Sequence, residues 1–210
     1  MEADLPAARS TAVGARAEHS ASAVPADERR LTPPGSGPAF ARGLWRIAAA
    51  DVSSGNSVEL LHDGPATFDA MCAAIATARE TVVLEAYILR SDETGHRIAN
   101  ALIDAAGRGV RIRVLSDWIG MRGIKSSYLH RLGKAGVEHR VFSPPGFRPW
   151  FGLIPRDHRK LLVIDSAVGI TGGVGIGDEW VHGKTKRNRK HWRDTVVRIE
   201  GPAALDMQQA

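Results

Sequence analysis

A disulfide framework is excluded from the outset, because the 210 residues include a single cysteine, Cys72. It lies inside an apolar periodic stretch, where a thiol serves as a small core hydrophobe rather than a reactive group. No run approaches the ~18–20 continuous apolar residues of a membrane span, so any membrane contact is expected to be peripheral. The N-terminus lacks the basic start and apolar run of a signal peptide, which points to a cytoplasmic protein. Aromatic residues are few, at 6%, yet the 43% hydrophobic content suffices for one core. That core would occupy about 150–170 residues, leaving no room for a second complete domain. Acid is the scarcer charge, with 23 Asp and Glu against 28 Lys and Arg, a net charge of +5. Residues 1–40 are slightly acidic, so the positive excess belongs to the folded part. Such a surface suits phosphate esters, anionic lipid headgroups or nucleic acid, without choosing among them.

What is present divides into a tail and an alternating body. Residues 1–40 are rich in Ala, Ser, Pro, Gly and Arg without periodicity, and predict a disordered tail. From there to residue 210, strand and helix patterns alternate. Ser57–Leu61 reads as a strand and Asp63-Gly64-Pro65 as a turn. Phe68, Met71, Ala74, Ile75 and Ala78 follow at helical spacing. Thr81–Leu89 is a nearly continuous apolar run, typical of a strand buried on both faces. Glu85 stands out within it, either as the partner of a nearby Arg or as a group at the edge of an active site. A helix around Ile98–Ala105, strands at Val110–Ser116 and Val137–Phe142, and a helix at Tyr128–Ala135 come next. Leu161–Asp165, Val168–Thr171 and Thr195–Glu200 complete the strands. The pattern predicts an α/β fold, a mixed β-sheet flanked by helices.

One segment carries chemistry. Asp157-His158-Arg159-Lys160-Leu161-Leu162-Val163-Ile164-Asp165 contains H-x-K-x4-D, and Gly172-Gly173 follows. On a strand, positions two apart face the same side, so His158 and Lys160 project together. An imidazole beside an ammonium suits attack on a phosphodiester: one is a nucleophile or proton carrier, the other neutralises charge on the non-bridging oxygens. Asp165, at a turn, can accept backbone or lysine hydrogen bonds. The glycine pair removes side chains where the main chain must come close to a ligand. H-x-K alone is common among solvated surface residues; the added Asp and glycine pair make the arrangement specific.

These motifs, with Gly175-Ile176-Gly177-Asp178-Glu179-Trp180 and His191-Trp192-Arg193-Asp194-Thr195 downstream, resemble the phospholipase D superfamily. The cardiolipin synthase branch is the most similar. Leu84-Glu85-Ala86-Tyr87-Ile88 and Gly109–Leu115 also fit it, so the resemblance covers roughly residues 55–205. It implies a phospholipase D-like α/β sandwich in which His158 forms or serves a phosphohistidine intermediate. Lys160 then binds phosphate, Asp165 supports, and Asp194 orients the imidazole, unless Asp194 is simply a surface ion-pair partner of Arg193. No metal or cofactor is implied. Where relatives commonly carry an Asn after the glycine pair, this chain has Gly175. The superfamily builds one centre from two H-K-D motifs, and this chain has one. A partner copy or a missing C-terminal half would supply the second, and the chain reads as a half-domain with a truncated C-terminus.

The implied activity is phosphatidyl transfer between phosphatidylglycerol molecules at the inner face of the cell membrane. The alternatives are a homodimeric phosphodiesterase or nuclease, and an inactive fragment. Lys184-Thr185-Lys186-Arg187-Asn188-Arg189-Lys190 places five positive charges between Trp180 and Trp192. It is either a solvated loop or a substrate-capturing one, with Lys186, Arg187, Arg189 and Lys190 meeting an anionic lipid surface or, less favoured, nucleic acid.

Overall fold

A seven-stranded mixed sheet organises the chain in the computed structural model, which describes residues 53–144, 155–181 and 191–209. The strands are β1 (Ser57–His62), β2 (Thr81–Ala86), β3 (Arg111–Asp117), β4 (Glu138–Phe142), β5 (Lys160–Ile164), β6 (Val168–Gly172) and β7 (Thr195–Glu200). Their order is β1-β7-β6-β5-β2-β3-β4. β2, β3 and β4 run parallel, because the helices α2 (Glu93–Gly107) and α3 (Ser126–Lys134) carry the chain back between them. The other neighbours are antiparallel. The remaining helices are α1 (Asp63–Thr77) and α4 (Ala203–Gln209). The expected disordered tail over 1–40 lies outside the described residues.

One sheet face and three helices make the main core. Val82, Leu84, Ala86, Ile112, Val114, Leu162 and Ile170 alternate inward and are at most 3% exposed. Against them α1 presents Phe68, Met71, Ala74 and Ile75, and α2 presents Ile98, Ala99, Leu102 and Ala105, all at helical spacing. The helix α1 begins at Asp63, so the expected turn at Asp63-Gly64-Pro65 is its first turn instead. Proline is tolerated there, since the first N–H groups of a helix have no intrahelical partner.

The opposite face is covered differently. α4 packs over β5, β6 and β7, with Met207 and Ala204 seated on Gly169. Over β2 and β3 that face has no such cover among the described residues. Thr81, Val83 and Glu85 are only half-buried, which corrects the expectation that this strand is buried on both sides. On β1, Val58 and Leu60 are 62% and 58% exposed. Among the described residues no helix is long and apolar enough to cross a membrane.

Candidate active site

The site grows out of sheet register. Leu161 pairs with Thr171, and Gly172 with Val196, so Lys160 at the start of β5 lies in line with Gly172 and the start of β7. His158, two residues before Lys160, and Asp194, two before Val196, extend the same face beyond the sheet's edge. Two strand spacings, about 9.5 Å, separate β5 from β7. The strand between them offers only glycines at this level. His158 and Lys160 thus stand on one side of these glycines and Asp194 on the other.

His158 is exposed and Lys160 half-buried. The Lys160 ammonium lies 3.3 Å from Nδ1 and 3.5 Å from Nε2 of the imidazole, and donates to the His158 carbonyl at 2.9 Å. Burial pushes the Lys160 pKa below the usual lysine value, while the carboxylates of Asp194 and Asp157 work in the opposite direction. The Tyr87 ring, just past the end of β2, packs on the imidazole with centroids 4.5 Å apart. It also lies 5.5 Å from the Lys160 ammonium, within cation–π range. Sequence reasoning gave Tyr87 no part in the site. Its place at the end of the central strand beside the motif strand was the available signal.

Asp194 is held from two directions. Its carboxylate accepts the Thr195 N–H at 2.8 Å, and its carbonyl accepts the Asp63 N–H at 3.0 Å. Asp63 adopts a left-handed backbone, φ 65°, that few non-glycine residues take. The Asp63 carboxylate takes the Arg193 guanidinium at 3.1 Å, which lowers the Asp63 pKa. Arg193 thus pairs with Asp63 and not with Asp194. Among the described residues no hydrogen bond joins Asp194 to His158, and the polar group beside the His158 ring is the Lys160 ammonium.

The glycines have a defined purpose. A methyl group on Gly173 would fall 1.9 Å from the Asp194 carboxylate, and one on Gly172 would strike the Thr195 carbonyl at 2.6 Å. The closeness that excludes side chains here is to β7 and the Asp194 carboxylate. At Gly175 a side chain would meet the Trp180 ring at 2.7 Å and Ile88 at 2.9 Å, so no Asn could stand there. Trp180 is held edge-on by Trp192, 5.0 Å away.

Asp165 is placed elsewhere. It lies five residues from Lys160 along an extended strand, about 16 Å. There its carboxylate accepts the N–H groups of Arg79, Glu80 and Thr81 at 2.8, 2.9 and 2.7 Å. Burial alone would raise its pKa, but the Thr81, Arg79 and Glu80 amides outweigh burial and hold it below the usual carboxylate value. Glu85 takes the first of its two expected readings, as the partner of an arginine. It pairs with Arg159 at 3.1 Å, and that arginine is His158's neighbour. Burial raises the Glu85 pKa against the pull of Arg159. Lys186, Arg187, Arg189 and Lys190 lie outside the described residues.

Comparison with known proteins identifies the family. Residues 71–203 match the family described as "Cardiolipin synthase, PLD-like domain". The cardiolipin synthase of Oceanobacillus iheyensis is 40% identical over 153 residues, 73% of this chain and 32% of that protein. Cardiolipin synthase A of Pseudomonas putida W619 is 36% identical over 172 residues, 80% of this chain and 35% of that one. The chain therefore spans about a third of the length of the curated relatives it matches. Among solved structures, Nuc of Salmonella typhimurium superposes with a TM-score of 0.53 at 21% identity, covering 73% of this chain and 90% of Nuc. The phosphatidylserine synthase of Haemophilus influenzae gives 0.55 at 17%, covering 72% of this chain and 35% of the enzyme. With a family match over most of its described length, this chain belongs to the phospholipase D-like domain family of the cardiolipin synthases.

Proposed function

We propose that the chain supplies one half-site of a phospholipase D-type phosphatidyltransferase acting on phosphatidylglycerol. The observation that carries this reading is the His158–Lys160 pair, set against Asp194 across a strand with no side chains at that level. Lys160 neutralises the phosphodiester's non-bridging oxygens while an imidazole nitrogen of His158 attacks phosphorus. The N–P bond forms as the bond to glycerol breaks, and the second motif's histidine gives the leaving oxygen its proton. The hydroxyl of a second phosphatidylglycerol then attacks phosphorus and surrenders its proton to that same histidine. The N–P bond of His158 breaks, and cardiolipin leaves. Asp194 stabilises positive charge on this side of the site, and Asp165 serves by fixing the far end of β5. The second motif comes from another copy or from further chain. The net charge of +5 favours an anionic bilayer surface, contacted peripherally from the cytoplasmic side.

A homodimeric phosphodiesterase or nuclease is the second reading, supported by the 90% coverage of Nuc by a chain with a single motif. The test uses vesicles of radiolabelled phosphatidylglycerol and, separately, DNA in EDTA. Cardiolipin formation with an acid-labile phosphoryl adduct, both lost in His158→Ala, is the expected result. DNA cleavage with neither lipid product nor lipid adduct would replace this reading with the second. A chain inert in both assays, also when mixed with a second-motif half, would show an inactive fragment.

A further inference from the structure

Asp117, at the end of β3, is completely buried, 0% exposed, and is not one of the motif residues. A buried carboxylate is costly unless its oxygens are satisfied, so its partners show what it is for. Oδ1 accepts the N–H of Ile119 at 2.8 Å and of Gly120 at 3.3 Å, closing the turn that follows β3. Arg156 lies 3.5 Å from the same oxygen. Oδ2 reaches across to the other chain segment and accepts the N–H of Asp157 at 3.1 Å. Asp157 is the residue immediately before His158. On the other side of His158, the Arg159 carbonyl accepts the Tyr87 N–H at 3.1 Å. The backbone of His158 is thus fastened one residue before and one residue after. The second fastener continues the β2–β5 ladder, whereas the first is a side chain that had to be supplied.

We propose that Asp117 is a positioning residue that sets the His158 imidazole against Tyr87 and Lys160 through its hydrogen bond to the Asp157 amide. The importance of that placement rests on the reading of His158 as the nucleophile; the placement itself is measurable without turnover. Asparagine at this position separates the two duties of the carboxylate. Its single oxygen can keep the turn amides of Ile119 and Gly120. Its NH2 group then faces the Asp157 N–H, donor against donor, and the strap is lost.

The experiment follows the ring C–H signal of His158 by NMR in the 210-residue chain, assigned by its absence in His158→Gln. Tyr87→Leu removes the ring current and marks the position of an unstacked imidazole. Asp117→Asn is expected to move the signal most of the way to that position. Asp165→Ala, a destabilising change about 16 Å beyond Lys160 along β5, is expected to leave it in place. An unmoved signal in a folded Asp117→Asn overturns the proposal, as does an equal movement in Asp165→Ala. Should Asp117→Asn not fold, amide exchange in the wild type decides. The Asp157 N–H is expected to exchange at least about tenfold more slowly than the His158 N–H, the equivalent of one hydrogen bond. Equal rates overturn the assignment.

Discussion

Asp165 shows how a single side chain can belong to a motif and yet work at a distance from its chemistry. Its three amide contacts join the β5–β6 turn to the segment entering β2, 84 to 86 residues earlier. Both Asp165 and Ser166 take left-handed backbone angles in that turn, φ 50° and 53°. Aspartate tolerates this conformation better than most residues because its short side chain bonds locally. Asp165→Ala is expected to cost about 1–2 kcal/mol, the lower range for charge-assisted bonds at a largely solvated carboxylate. Its folded pKa is depressed, so this stabilising contribution is fully present above the ordinary Asp value of ~3.9 and fades as the pH falls below it. Urea titrations of wild type and variant from pH 6 down to pH 2.5 should converge only at the acidic end. A gap independent of pH would mean that the carboxylate's charge plays no part. The sequence identified Asp165 and suggested backbone acceptance, because an acid after an apolar strand sits at a turn. It could not say which amides, since these are brought in by the β2–β5 pairing.

At the scale of elements, β6 is a spacer strand, and the glycines at its end leave room between the starts of β5 and β7. The two glycines make opposite demands on a substitution. Gly173→Ala pushes its methyl into the Asp194 carboxylate, which lies at an exposed end of β7 and can swing away. It should leave the urea midpoint close to that of wild type and cut the proposed phosphatidyl transfer by at least about tenfold, the effect of one displaced electrostatic group. Gly172→Ala meets the Thr195 carbonyl and Val196 backbone, neither of which can move without parting the strands. A loss of about 1–3 kcal/mol in stability is expected there. Equal stability losses in the two variants would show that Asp194 is as fixed as the ladder. Strand and helix positions were legible because alternation and helical spacing are local, and β7 matches its expected bounds. Asp63-Gly64-Pro65 opens α1 although its composition suits a free turn, because turn residues and the first turn of a helix share a composition. The role of Asp63 depends on Arg193, 130 residues away, and no local pattern announces it.

Across the whole molecule the covering of the sheet is uneven. Among the described residues, one face carries three helices and nearly all the buried apolar side chains, while the other has α4 over β5 to β7 and no such cover elsewhere. Val58 and Leu60 contribute to the exposed apolar surface on that second face, and such patches bind apolar probes or promote self-association. Val58→Thr with Leu60→Thr should lower fluorescence of an apolar dye and change the unfolding free energy from urea titration by no more than about 0.5 kcal/mol per site. A large loss of stability would mean that these side chains are buried in solution. Continuous hydrophobicity in Thr81–Leu89 suggested burial on both sides of β2, but it could not distinguish a covered face from one awaiting cover. The order of the strands has a consequence for synthesis. β1 is an edge strand, and its neighbour in the sheet is β7. Residues 57–62 therefore leave the ribosome well over a hundred residues before their partner, 195–200, exists. The parallel unit β2-β3-β4 can assemble from nearby segments while β1 waits. Its hydrogen-bonding groups stay open to chaperones, or to a neighbouring nascent chain, until translation has passed the last strand.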